Sequence, residues 1–370
     1  MKYFFCIIIN LFFLQANALQ INKKIEFNIG VLQPFLSEDT QDSYLYKGAF
    51  EAALFFNLGI FAEKFKKCGY FPKYQFQYFP HEDTPKLKSL AMKLENEKNW
   101  FILGSNKSEQ FINAARVIKK TVMISGMANS KEIYELNWPF YTIYPSNQIL
   151  AKATYFWVHK NKEYIGNYGV ITYPSCTFCE DFKNNYINYA GNPSFVYEIS
   201  EELFNSNFLK KQIDKYNITS LLLPVYSSFS GKIISSLNKE PYSKIKFIAN
   251  DGLGDELNHV SYYPISKEQK GFSIRLGPKK SETIKILNIE NLSLSWNDID
   301  LYPPDEAIYF KESLEKILNI LCKNKPMNKD EFNEILKKQP KDFFQSDLNF
   351  GVFELSGKKF FFKEILNKNI

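Results

Sequence analysis

The feature that most constrains this chain is an alternation of strand-like and helix-like segments that runs from about residue 24 to residue 249. Lys24-Ile-Glu-Phe-Asn-Ile-Gly-Val-Leu32 alternates and then turns wholly apolar, as a buried parallel strand does, and Gln33-Pro34 ends it. From Tyr46 to Phe61, the residues Ala49, Phe50, Ala53, Leu54 and Leu58 recur at helical spacing. Lys73 to Phe79 has a strict period of two, and Pro80 stops it. A helix over 85–96, a strand over 100–103, a helix over 108–119 and a strand over 121–124 complete a first series. The second series has strands over 168–172, 194–199, 220–224 and 244–249, with helices over 148–160, 179–190, 201–216 and 229–238. Such alternation requires right-handed crossovers and a parallel sheet covered on both faces. Two series predict an α/β protein of two doubly wound parallel-sheet lobes, with a boundary near Tyr144-Pro145-Ser146.

Composition narrows the function classes. With 35 Phe, 23 Tyr and 4 Trp, most of the chain is expected to fold, because a solvated polymer lacks such aromatic content. The net charge is +6, but Arg116 and Arg275 are the sole arginines among 46 basic residues. Readers of bases and phosphates rely on the bidentate arginine fork, so a nucleic-acid partner is not expected.

The first residues read as an export signal. Lys2 precedes an apolar run from Tyr3 to Leu14, too short for a ~30 Å bilayer core, and Ala16-Asn17-Ala18 supplies the small-x-small cleavage pattern. Cleavage after Ala18 is expected to leave a periplasmic or otherwise exported chain that starts at Leu19. Four cysteines would remain. Cys176-Thr-Phe-Cys179 has the spacing of a redox pair but reads better as a local disulfide or an unreacted pair, and no second ligand pair for zinc lies near it. His81, His159 and His259 have no metal-ligand spacing. Gly252-Leu-Gly254 lacks the third glycine of a dinucleotide loop, and Ser230-Gly231-Lys232 lacks the upstream glycine of a P-loop. No metal and no cofactor are expected.

In open α/β sheets ligands sit beyond the carboxyl ends of the strands. The loops there (33–41, 104–108, 125–130, 173–179, 224–229 and 250–252) are rich in hydroxyls, amides and aromatics and nearly free of nucleophile–base pairs. That composition suits holding a small polar ligand better than transforming it, so no catalytic residue is assigned.

The order and spacing of several segments resemble the type I periplasmic substrate-binding proteins of ABC importers, in the branched-chain amino-acid-binding (Leu/Ile/Val-binding) family. Ile29 to Pro34, followed by Lys47-Gly48-Ala49 through Ala53 and Asn57, resembles the family's opening strand and helix. Phe101-Ile-Leu-Gly104 with Ser108, Val122 to Ser130, Phe140 to Ser146, and Lys246 to Gly252 resemble later segments. Ala307 to Leu321 is similar to the family's late helix, and Phe353 to Phe362 to its closing hairpin.

The resemblance implies two lobes joined by three hinge strands that close on a ligand and dock on a membrane permease. It divides the chain into a signal peptide, 1–18, a first lobe of 19–145 plus about 263–340, and a second of 146–262 plus about 341–370. It implies a monomer that captures an amino acid or related amine or amide. The rival reading is a sensory or interaction protein of the same fold. By resemblance Ser108 would hydrogen-bond the ligand carboxylate, Met127 and Asn129 would contact the same group, Phe178 and Tyr226 would wall the pocket, and Asp251 would receive an ammonium. Read from local chemistry alone, Ser108 also suits a cap for the helix it begins, and Asn250-Asp251-Gly252 suits a turn. Phe178 and Tyr226 suit a lobe core equally well.

Overall fold

A computed structural model describes residues 24–35, 57–80, 83–137, 139–174, 176–250, 263–277, 305–357 and 359–367. Five strands form the first sheet: β1 (Ile25–Phe35), β2 (Tyr70–Pro80), β3 (Asn99–Leu103), β4 (Val122–Ser125) and β5 (Phe140–Thr142). They are parallel throughout, in the order β2-β1-β3-β4-β5. Helices α1 (57–67), α2 (Thr84–Asn96), α3 (Ser108–Ala115) and α4 (Lys131–Glu135) connect them. The apolar positions on both faces of β1 explain its place inside the sheet rather than at its edge: Phe27, Ile29 and Val31 join one core cluster, while Leu32 joins the cluster on the opposite face with Leu87, Ala91 and Leu94 of α2.

The second sheet holds β6 (Tyr168–Thr172), β7 (Phe195–Glu198), β8 (Ser220–Leu223), β9 (Lys246–Ala249), β10 (Lys270–Leu276), β11 (Phe350–Ser356) and β12 (Lys359–Leu366). Its order is β12-β11-β10-β9-β8-β6-β7, parallel from β7 to β10 and antiparallel across β10, β11 and β12. Helices α5 (Asn147–Lys160), α6 (Thr177–Ala190), α7 (Ser206–Tyr216) and α8 (Ser227–Ser236) accompany it. The terminal hairpin turns at Gly357, whose φ of 59° falls in the left-handed region that glycine enters freely.

The expected allocation of residues from about 263 to the first lobe differs from the hydrogen bonding. Lys270–Leu276 runs parallel beside β9, within the second sheet. The physical reason is local: Phe272, Ile274 and Leu276 alternate onto the core face, and Gly271 allows approach to Phe247, whose Cβ would stand 2.9 Å from an added methyl. Helix bounds also differ. The 201–216 helix begins at Ser206, because Asn205 accepts the Phe208 N–H at 3.0 Å as an N-cap. The 108–119 helix ends at Ala115.

After β10 the chain returns to the first sheet. Helices α9 (Asp305–Asn324) and α10 (Lys329–Lys337) lie against it. Phe332 of α10 packs on Trp100 and Phe101, Tyr70 donates to the Pro326 carbonyl at 2.9 Å, and Tyr141 donates to the Leu336 carbonyl at 2.5 Å. A disulfide joins Cys68, in the turn after α1, to Cys322 of α9.

The described crossings between lobes meet around Tyr144. The Ser346 N–H donates to the Ile143 carbonyl at 2.8 Å, and the Gly277 N–H donates to the Asn349 carbonyl at 3.1 Å. Tyr144 Oη accepts the Leu276 N–H at 3.1 Å, and Tyr309 Oη donates to the Leu276 carbonyl at 2.9 Å. Two buried tyrosines, edge to face at 5.5 Å, therefore hold the two peptide groups that flank Leu276.

Candidate functional site

The strand-end loops of the two sheets face one another. In the first lobe, β3 ends at Leu103 and the chain turns through Gly104 into Ser105 to Ser108. Gly104 has φ of 107°, and a Cβ there would collide with the Leu32 carbonyl oxygen of β1. Only glycine lets this turn pass so near the neighbouring strand. Gly104→Ala is expected to destabilise the fold by about 2–3 kcal/mol, from the unfavourable φ and the displaced strand end together. A urea titration checks this, and a loss below about 0.5 kcal/mol contradicts it.

Beyond Gly104 the loop is a hydroxyl and amide network. Ser105 donates to Gln110 Oε1 at 2.7 Å, and Ser125 Oγ, at the end of β4, donates to the Ser105 carbonyl at 2.7 Å. Ser108 does not cap its own helix. Its Oγ accepts the N–H groups of Asn129 and Ser130, each at 3.2 Å, and so fastens the β4 loop to the β3 loop. Those two bonds use the oxygen as acceptor and leave the Ser108 hydroxyl proton as a donor.

Met127 is half-buried, and its N–H donates to Ser125 Oγ at 3.2 Å, so the backbone contact expected of it is already engaged within the loop. Asn129 is buried, and its carbonyl accepts the Asn147 N–H at 3.2 Å. Its Nδ2, the Ser130 Oγ, and the Gln33 Nε2 at the end of β1 are buried without a hydrogen-bond partner among the described residues. An unmet buried donor costs about 1–3 kcal/mol, so each of the three is a group that a polar atom of another molecule would stabilise.

The second lobe contributes aromatic and sulfur groups. After β6, Cys176 and Cys179 form a disulfide at the start of α6, where Cys176 Sγ also accepts the Cys179 N–H at 3.2 Å. Phe178 lies within that loop and is half-buried, and its carbonyl accepts from Asn147 Nδ2 at 3.3 Å. Tyr226, which precedes α8, is half-buried, edge to face with Tyr173, and its hydroxyl lies 3.7 Å from Cys176 Sγ. Asp251 lies outside the described residues, as do His81 and His259. One turn further along α6, Lys183 is buried between Glu180 at 2.5 Å and Glu198 at 3.1 Å. Burial alone would lower its pKa, but the two carboxylates outweigh that and hold the ammonium above its ordinary range.

Besides the Asn129–Asn147 bond near the crossing segments, two side-chain contacts between the lobes stand out among the described residues, and neither is foreseen by the sequence reading. Lys107 Nζ sits 4.3 Å above the Tyr226 ring, a cation–π contact from the first lobe to the second. Asp181 Oδ2 of α6 accepts the Lys131 N–H at 3.0 Å, at the first residue of α4. Ser130, the N-cap residue of α4, makes no side-chain cap bond, so the second lobe supplies that cap. The sequence signal for Lys107 was its place next to Ser108 in a strand-end loop. Asp181 carried none, since its partner is fifty positions away and in the other lobe.

Ser108, Met127 and Asn129 thus lie in adjoining turns of the first lobe, and Phe178 and Tyr226 at the starts of α6 and α8 in the second. No group of three or more His, Cys, Asp or Glu side chains suited to a metal ion occurs among the described residues, and no described helix is long and apolar enough to cross a membrane.

In sequence the chain matches no protein-family model and no curated protein. Its fold is nevertheless that of the two-lobed type I periplasmic binding proteins. An ABC transporter substrate-binding protein from Desulfitobacterium hafniense, solved in complex with Leu, superposes with a TM-score of 0.65 at 14% identity, over 91% of this chain and 100% of that one. A leucine-binding protein from Thermotoga maritima gives 0.68 at 12% identity, over 93% and 99%. A solute-binding protein of an ABC transporter from Rhodopseudomonas palustris, in complex with 3,4-dihydroxybenzoic acid, gives 0.66 at 12% identity, over 93% and 98%.

Proposed function

We propose that this chain is a non-enzymatic, exported solute-binding protein. It captures a small polar ligand, an amino acid or a related amine or amide, between its two lobes and delivers it to an ABC importer. The observation that carries this reading is the set of buried, unpartnered polar atoms on Gln33, Asn129 and Ser130, set beyond the carboxyl ends of the first sheet. With the Ser108 hydroxyl, they offer amide and hydroxyl donors to an acceptor such as a carboxylate. Tyr173, Phe178 and Tyr226 face that wall with aromatic surface, which suits an apolar ligand body.

The superposed relatives support the carboxylate, since leucine and 3,4-dihydroxybenzoic acid both carry one. An ammonium on the ligand would be received by Asp251, whose charge needs a positive partner in a closed cleft. Ligand then holds the lobes together more firmly, because it binds better to the state in which both walls contact it.

A thermal-shift screen of the chain from Leu19 onward tests this, with amino acids, amides, polyamines, and aliphatic and aromatic carboxylates as the panel. A ligand at ~100 times its dissociation constant adds about 2.7 kcal/mol, a shift of several degrees, and an amino acid or amide is expected to give it. A shift with carboxylates lacking an amine removes Asp251 from the site. Silence across the panel overturns the small-ligand reading.

A further inference from the structure

We propose that the Cys176–Cys179 disulfide is a redox device that sets how firmly the two lobes close. The disulfide encloses Phe178 and fixes the first turn of α6, with Cys176 Sγ serving as the cap for the Cys179 N–H. Two side-chain contacts between the lobes, Lys107 with Tyr226 and Asp181 with the Lys131 N–H, adjoin this turn. Tyr226, which receives Lys107 from the first lobe, has its hydroxyl 3.7 Å from Cys176 Sγ. Asp181, which caps α4 of the first lobe, follows Cys179 by two residues on the same helix. The same turn presents the Phe178 carbonyl to Asn147, whose Nδ2 also reaches Asp181 Oδ2 at 3.0 Å.

Reduction removes the crosslink at this platform. A dithiol, whether a small molecule or the paired thiols of an oxidoreductase, attacks one sulfur as thiolate and forms a mixed disulfide. Its second thiol resolves that bond, so the reductant leaves as a disulfide and Cys176 and Cys179 remain as two thiols. The sulfur at 176 then turns freely about its own side-chain bonds, and the first turn of α6 loses its fixed cap. Asp181 and Tyr226 lose the rigid base from which they reach across.

The coupling runs in both directions, as any linkage must. Cys176 is 2% exposed and Cys179 is fully buried with the lobes in contact, and the device requires that closure contribute to this shielding of the bond from thiols. The device is specific to this turn. The Cys68–Cys322 disulfide lies within the first lobe and touches neither cross-cleft contact.

Hydrogen exchange read by mass spectrometry on the unliganded chain tests the proposal without reference to any ligand. The reporter is the peptide spanning 127–136, which contains the Lys131 amide. In Cys176→Ala/Cys179→Ala its exchange is expected to be about fivefold faster than in wild type, and in Asp181→Ala about tenfold faster. Adding Asp181→Ala to the double cysteine variant is expected to gain less than the product of the two, because both act on one contact. Cys68→Ala/Cys322→Ala is the control expected to leave the reporter unchanged relative to core peptides of β3. Protection of β6 and β8 in each variant establishes that the second lobe is folded.

A second measurement uses wild-type protein. Dithiothreitol should cleave the 176–179 bond several-fold faster in Asp181→Ala than in wild type, by the shielding argument above. Equal reporter exchange in oxidised, reduced and Cys176→Ala/Cys179→Ala protein, with both lobes folded, overturns the proposal. So does a cleavage rate unaffected by Asp181→Ala.

Discussion

Replacing both Cys68 and Cys322 by serine is expected to lower the unfolding free energy by about 5 kcal/mol, the larger of the stability effects predicted here. The bond spans 254 positions, so breaking it restores to the unfolded chain the loop entropy of two-thirds of its length. The folded state keeps other ties at the same place. Tyr70 still donates to the Pro326 carbonyl, and Phe332 still packs between Trp100 and Phe101. The loss is therefore predicted to come from the unfolded side, with the native contacts of α9 and α10 intact. In guanidinium titrations the midpoint falls, and because the uncrosslinked chain exposes more surface on unfolding, the slope rises. The 176–179 pair closes a loop of four residues, for which the same entropy relation gives only about 2 kcal/mol. A loss no larger for the 68–322 pair than for the 176–179 pair would refute the chain-entropy account.

That long-range bond marks the limit of what the residues alone disclose. Strands β1, β3, β4, β6, β8 and β9 are legible as apolar runs bounded by breakers, the trace of buried parallel strands, and β2 by its strict alternation. Helix α4 and strand β5, of five and three residues, span little more than one repeat of the helical and strand periods, so composition cannot distinguish them from loop. Strand β10 alternates clearly, but periodicity does not say which sheet an alternating segment joins. Its partner β9 decides that through backbone bonds which any sequence could form. The pairing of Cys68 with Cys322 is hidden for the same reason, since four cysteines admit three pairings and nothing local selects one.

The site divides similarly. Strand ends are predictable wherever strands are, and so Ser108, Asn129, Phe178 and Tyr226 are found in or just after the strand-end turns of the two sheets. The use of each group is not predictable. Ser108 ties two loops together, a bond set by the positions of β3 and β4 rather than by the helix it begins. Lys107 and Asp181 gain their roles from the other lobe, and the sequence carries no record of how the lobes meet.

Asn129→Asp is expected to weaken binding of a carboxylate ligand by at least about 100-fold at neutral pH, equivalent to about 2.7 kcal/mol. The exchange keeps the shape of the side chain and replaces the unpartnered Nδ2 donor with a carboxylate oxygen. Asn129 is 2% exposed, so the new charge would have little water to screen it from the carboxylate of the ligand. Two terms then act together: a donor is lost, and two like charges are brought into one dry cleft. They separate by pH. Burial and a neighbouring carboxylate both raise the pKa of the introduced Asp above the ordinary carboxyl value, so the protonated form, which again offers a donor, grows as pH falls. Affinity of the variant should therefore recover partly between about pH 7 and pH 5, while that of wild type stays level over the same range. Titration calorimetry with the ligand found by thermal shift measures both. Loss without recovery at low pH would mean that the amide at 129 holds the loop through its shape alone. Unchanged affinity at neutral pH would remove Asn129 from the ligand wall and leave its buried Nδ2 to a purely structural role.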